Sequence, residues 1–239
     1  MDNQIHNYYE QKMTTIKIVQ RKNQFKIPSF TWLLRLGLLL GCAMIFAGLA
    51  EDVWFKEGFA LDAPVALAIH HFSQPWLDIV MSAITEMGST GAIVLVSGLA
   101  LWFYWRRQPH QAAFLFGTFG GAMALNTFLK LLFARPRPQL FPPLVVETDY
   151  GFPSGHALAA VVLYGLLAVL LWRRRHYGWA LFAGGWVCAV AVSRVYLGVH
   201  YPSDVLASLA LGGVWLFMAF TVYDWYTQRT PTASVGADD

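Results

Sequence analysis

Charge is scarce in this chain. Only 13% of its 239 residues are Asp, Glu, Lys or Arg, where an ordinary soluble domain carries about 25%. Hydrophobic residues make up 56% and gather in runs close to the roughly 20 residues that cross a bilayer. That pattern excludes an ordinary soluble domain. The formal net charge of +3 is too small an excess to point to nucleic acid as a partner. Cysteine is nearly missing: Cys42 and Cys188 both lie within apolar runs. They read as two small core residues rather than a disulfide framework. Clustered carboxylates and a Cys/His ligand set are also missing, so no metal and no cofactor are expected.

What is present is a series of apolar spans. The runs predict six transmembrane helices, over about 31–50, 90–105, 111–133, 156–172, 178–197 and 204–226. Residues 1–30, with Lys12, Lys17, Arg21, Lys22 and Lys26, read as a basic tail lying against anionic headgroups. Gly48-Leu49-Ala50 resembles a signal-peptidase site, but the long polar stretch before the first span favours a retained anchor. Asp62 and Ser73 are each placed to cap a short helix, with Pro64 and Pro75 at first-turn positions. Trp76, Val80, Ile84 and Met87 then recur at helical spacing, with Asp78, Ser82 and Glu86 between them. This short amphipathic helix either lies in the outer interface or packs as a connector on the other helices. Gly117, Gly120, Gly121 and Ala124 offer small surfaces for close helix packing in the third span.

Lys and Arg concentrate in cytoplasmic loops. The basic tail, Arg106-Arg107, Arg173-Arg174-Arg175 and Arg229 share one side of a six-span chain. Both termini are therefore expected in the cytoplasm, with the chain in the inner (plasma) membrane. Lys130, Arg135, Arg137 and Arg194 fall on the outer side, near helix ends, against the trend. Ionisable residues at membrane depth are functional candidates.

Three clusters hold these cations. Lys130 and Arg137-Pro138 run from the third span into the following loop. Gly151-Phe152-Pro153-Ser154-Gly155-His156 opens the fourth span. Ser193-Arg194, His200 and Asp204 run from the fifth span into the sixth. The topology brings all three to one membrane face. Lys130, Arg137 and Arg194 together neutralise a phosphate dianion, the guanidinium forks matching its oxygens in two-point fashion. The amides of Ser154, Gly155 and His156 add neutral donors at a helix start. A neutral histidine attacks phosphorus while a protonated one serves the leaving alcohol. Asp204, four residues after His200, is spaced to hydrogen-bond one ring nitrogen and present the other as the nucleophile. His156 has no acid at that spacing, which suits a general acid.

The pattern Lys130-x6-Arg137-Pro138, Pro153-Ser154-Gly155-His156 and Ser193-Arg194-x5-His200-x3-Asp204 resembles the three-part signature of the type 2 phosphatidic acid phosphatase family. That family includes bacterial membrane lipid phosphatases and is related to vanadium haloperoxidases. The resemblance covers about 55–226. Arg135-Pro136 duplicates the Arg-Pro step, and the six-residue spacing selects Arg137. The resemblance implies an all-α polytopic bundle, a phosphohistidine on His200, a general acid at His156 and an orienting acid at Asp204. It implies a phosphate pocket from Lys130, Arg137, Ser154, Gly155 and Arg194. Its substrates would be lipid phosphates such as undecaprenyl pyrophosphate, phosphatidylglycerophosphate or phosphatidic acid, met at the extracytoplasmic face. Residues 31–226 then form the membrane phosphatase domain, with the signature over 130–204, between cytoplasmic tails at 1–30 and 227–239. Two other readings use the same cations: an anion or lipid transporter, and a vanadate-dependent haloperoxidase. A transporter needs charges along a pathway, and the interiors of spans one, two, four and six carry none apart from Arg35 near the inner end.

Overall fold

The computed structural model describes residues 30–229, with side chains over 33–228. Residues 1–29 and 230–239, which hold most of the two expected tails, lie outside the described residues. Residues 30–38 are helical and open α1, and the compact unit that carries the site begins at Leu39. The elements are α1 (Phe30–Trp54), α2 (Asp62–His70), α3 (Pro75–Glu86), α4 (Thr90–Trp105), α5 (Pro109–Phe133), α6 (Gly155–Arg173), α7 (Tyr177–Tyr196) and α8 (Pro202–Arg229). No strand occurs among the described residues. Among the described residues, six segments are long and apolar enough to cross a membrane, so the chain is a multi-pass membrane protein.

Local chemistry sets the helix boundaries. Pro75, Pro109 and Pro202 begin α3, α5 and α8, where the missing N–H is no loss. Lys56, Arg107, Ala134 and Arg175 take positive φ (60°, 59°, 45° and 62°) just beyond α1, α4, α5 and α6. These are left-handed exits of the kind glycine usually provides. The three basic ones also complement the negative ends of their helix dipoles. The last helix continues through Thr227 to Arg229.

α6 is the central helix. Leu158, Val162 and Leu163 are fully buried, and α5, α7 and α8 pack around them. The helix widens to a π-helical turn over Val161–Gly165. α8 crosses beside it at Gly212, where a Cβ would lie 2.5 Å from Val161 Cγ1 and 2.8 Å from its Cβ. The expected small surface on α5 is used only in part. Gly121 meets Trp215 of α8, but Gly117 and Gly120 have open space beside them and Ala124 is exposed. Cys42 is half-buried against Gly213, whereas Cys188 is exposed on α7 rather than in the core.

Two other expectations change. The amphipathic helix is the first half of a broken span, Pro75–Trp105, interrupted at Met87–Ser89. Its polar side faces protein: Asp78 accepts from Tyr196 Oη at 2.6 Å, and Thr85 is buried. Trp76, Ile79 and Val80 face outward instead. The connector reading therefore holds, because a polar face finds partners on α7 as readily as in water. Asp62 does not cap its own helix; its oxygens accept from Ser203 N and Oγ at the start of α8, at 2.9 and 2.6 Å. Ser73 lies one residue before the cap position of α3, held by Gln74, and donates to Asp78 at 2.9 Å.

The crossing of α6 and α8 yields a test. A methyl at Gly212 meets the stiff β-branched Val161. Gly212→Ala is expected to destabilise the solubilised protein by about 1–3 kcal/mol. Thermal unfolding in detergent measures this, and an unchanged midpoint would show that the two helices separate freely.

Candidate active site

The signature residues sit on helix ends, with Arg137 and His200 in the adjoining loops, and converge at one end of the bundle. Lys130 is in the last turn of α5, Arg194 in the last turn of α7 and Asp204 in the first turn of α8. Ser154 caps α6, its Oγ accepting from Ala157 N at 3.5 Å. Gly155 and His156 open that helix, where amide donors have no intrahelical partner. A Cβ on Gly155 would lie 3.0 Å from Asn126 Oδ1, so this close approach of α5 favours glycine.

The stretch before α6 is anchored from several sides. Phe152 is fully buried, stacked on Phe46 of α1 and edge-on to Phe133 of α5. Gly151 N donates to Arg135 O at 2.8 Å, and Asn126 Nδ2 donates to Pro153 O at 3.3 Å. Ser154 N donates to Asp204 O at 3.3 Å. The Ser154 amide is therefore already used and does not join the expected set of open donors.

Buried like charges require nearby anions, and the loop between α5 and α6 supplies two. Lys130 Nζ lies 2.5 Å from Asp149 Oδ2 and donates to Tyr150 O at 2.6 Å. Arg137 binds the other Asp149 oxygen through Nη2 and donates from Nε to Asp149 O at 2.8 Å. Arg194 donates to Glu147 Oε1 through Nη2 and to Thr85 Oγ1 through Nη1 at 2.7 Å. Glu147 Oε2 is 3.9 Å from Arg137. Burial alone would raise the Asp149 carboxyl, but the bonds and charges of Lys130 and Arg137 bring it down to about 2. Burial likewise opposes ionisation of Glu147, and the charge and hydrogen bond of Arg194 reverse it, leaving Glu147 below the usual carboxylate range.

His200 is nearly fully buried. Its Nδ1 lies 2.7 Å from the Gly151 carbonyl, and its Nε2 lies 3.2 Å from Arg137 Nη1. The expected hydrogen bond to Asp204 is not made, because Oδ2 is 3.6 Å from Nδ1. Asp204 has other partners: Oδ2 accepts from Tyr201 N at 2.9 Å, and Oδ1 binds Arg135 Nη1. A carbonyl accepts only, so Gly151 selects the tautomer with the proton on Nδ1 and the lone pair on Nε2. Burial, reinforced by the charges of Arg194, Arg137, Lys130 and His156, pushes His200 well below the usual histidine range. Arg135 faces Asp62, Ser203 and Asp204 rather than the other cations, consistent with the spacing that selects Arg137.

Sequence reasoning missed Glu147, Asp149, Thr85, Asp62 and the Gly151 carbonyl. Glu147 and Asp149 carried a usable signal: an acidic pair, two residues apart, between two cationic clusters on the same face. Thr85 and Asp62 carried none, because each is joined to its partner across more than 70 residues.

The chain as a whole resembles known proteins. The sequence model described as the PAP2 superfamily matches residues 111–228. A phosphatidylglycerophosphatase B of Bacillus subtilis (strain 168) is 33% identical over 184 residues, covering 73% of this chain and 89% of that relative. An undecaprenyl-diphosphatase BcrC of the same organism is 32% identical over 162 residues, covering 65% and 78%. A solved structure of a transmembrane PAP2 type phosphatidylglycerolphosphate phosphatase from Bacillus subtilis has a TM-score of 0.70 at 31% identity. It covers 81% of this chain and 98% of that chain.

The carboxylates screen the cations, so removing one should strengthen anion binding. Asp149→Asn is expected to bind inorganic phosphate about fivefold more tightly, the effect of one partly solvated charge at contact distance. Titration calorimetry on the purified protein measures it; equal or weaker binding would show that Asp149 does not screen the pocket.

Proposed function

The chain belongs to the PAP2 superfamily, and from that premise we propose that it hydrolyses a phosphomonoester or pyrophosphate carried by a membrane lipid, through a phosphohistidine on His200. One observation carries this reading. The unprotonated Nε2 of His200 lies 3.2 Å from Arg137 Nη1, and Arg137 shares the carboxylates Asp149 and Glu147 with Lys130 and Arg194.

The substrate phosphate takes the place of those carboxylates. Its oxygens lie against Lys130, Arg137 and Arg194, with the Gly155 and His156 amides at the positive end of α6. The Nε of Arg194 is buried with no partner among the described residues, and a phosphate oxygen satisfies it. Nε2 attacks phosphorus in line with the lipid oxygen. The P–O bond breaks, and His156 gives its proton to the leaving oxygen. Water then attacks the phosphohistidine, His156 takes a proton from it, and orthophosphate leaves with His200 restored. The cations stabilise the charge on the equatorial oxygens in both steps.

A largely apolar cleft of about 450 Å³ runs between α4, α5 and α6, walled by Ile93, Phe116, Phe119 and Met123, with Gly155 and His156 at its edge. It suits the first part of a lipid tail beside the scissile phosphate. The basic residues at the opposite helix ends support cytoplasmic termini and an extracytoplasmic site. The two Bacillus relatives, by name a phosphatidylglycerophosphatase and an undecaprenyl-diphosphatase, support phosphomonoesters and pyrophosphates alike. The three cations and two histidines supply the charge and proton transfers, so the proposed reaction is metal-independent.

The test is phosphate release from a panel of lipid phosphates and pyrophosphates in detergent. His200→Ala is expected to lower it by at least about 1,000-fold, and a chelator to leave the wild-type rate unchanged. A near wild-type rate in His200→Ala would overturn the nucleophile assignment. The pH profile follows from the lowered His200 value. The neutral ring is lost only when pH falls through that lowered value, so the acid limb due to His200 should lie well below that of an ordinary histidine.

A further inference from the structure

Asp62 lies outside residues 111–228 and outside all three clusters, yet it reaches the site. It is 5% exposed, and Asp204 is fully buried. Arg135 lies between them: Nη2 donates to Asp62 Oδ2 at 2.9 Å, and Nη1 donates to Asp204 Oδ1. Nη1 also donates to Ser203 Oγ at 2.8 Å. The guanidinium sits over the rings of Tyr201 and Phe59, 4.6 and 5.4 Å from their centroids. Two aromatic rings and three hydrogen-bond acceptors therefore hold it in place. The main chain of Arg135 makes a second link, because its carbonyl accepts from Gly151 N, and the Gly151 carbonyl holds His200 Nδ1.

Two carboxylates share one guanidinium in this network. Had Asp204 faced Arg135 alone, the pair would be neutral. With Asp62 engaged as well, one net negative charge remains beside His200, and Asp204 Oδ2 stays turned toward Nδ1 at 3.6 Å. When Nε2 bonds to phosphorus, the ring becomes cationic and keeps its proton on Nδ1. A fixed negative charge at that distance stabilises the cation in a medium of low dielectric.

We infer that Asp62 is a positioning residue for the nucleophile: through Arg135 it sets the orientation and net charge of Asp204, and so the rate at which His200 takes up the phosphoryl group. This rests on the phosphatase reading of the site. Asp62 touches neither the phosphate cations nor the substrate. Its effect therefore belongs to kcat rather than to binding.

The test uses purified full-length protein in detergent, a short-chain phosphatidic acid as substrate and orthovanadate as a phosphate-like inhibitor. Asp62→Asn keeps an oxygen for Ser203 N and removes the charge. It is expected to lower kcat by about tenfold or more, with KM and vanadate inhibition within about twofold of wild type. Asp62→Glu, which restores the carboxylate, is expected to recover most of kcat. Wild-type kcat in Asp62→Asn overturns the inference, as does Asp62→Glu no better than Asp62→Asn. So does a loss of vanadate inhibition in parallel with kcat, which would mark general damage to the site. A wild-type protein that releases no phosphate from any lipid overturns the phosphatase reading and this one with it. An active wild type with an indifferent Asp62→Asn overturns this one alone.

Discussion

Cations held close together and largely buried repel one another and lose much of their hydration, so each needs negative charge within reach. Lys130, Arg135, Arg137 and Arg194 impose that constraint on this chain, and four carboxylates answer it in two pairs. Glu147 and Asp149 come from a loop, with side chains 24% and 54% exposed. Asp62 and Asp204 come from helix starts, with side chains 7% and 0% exposed. The difference in exposure separates their roles. A carboxylate with access to water can leave a cation when a phosphate arrives. One sealed between helices cannot, and in the proposed reaction it serves as fixed charge behind the histidine.

The fold gives those charges a rigid frame. α6 occupies the centre, and its start is pinned by Phe152, by Asn126 and by the Asp204 carbonyl. α8 is fixed at its first turn by Asp204 from within and by Asp62 from α2, which together satisfy amide donors that a helix start leaves open. The close crossing at Gly212 holds α8 against α6 further along. Arg194 lies in the last turn of α7 and His200 follows just beyond it, and α3 braces α7 through Asp78 and Tyr196. Catalytic geometry in the proposed reaction thus depends on helix ends locked to one another rather than on one loop.

Much of this was legible in sequence. Long apolar runs mark spans reliably because length and hydropathy are both read locally. The three clusters stood out because cations at outer helix ends oppose the usual charge bias. Other features were hidden for physical reasons. Amphipathic spacing in α3 does not reveal whether Asp78 and Thr85 meet water or a neighbouring helix. The spacing of His200 and Asp204 brings them within reach, but Tyr201 N and Arg135 compete for the carboxylate and leave Nδ1 to Gly151. Asp62 read as a cap for its own helix because the start of α8, which it serves, lies 141 residues away.

The central claim is that the phosphoryl group passes through His200. The direct measurement is rapid quenching of the purified protein with a ³²P-labelled lipid phosphate, followed by peptide mapping. The account predicts a base-stable, acid-labile phosphoryl group on the peptide containing His200, formed and lost at rates no slower than turnover. Turnover with no covalent label under single-turnover conditions, or a label on another residue, would contradict it.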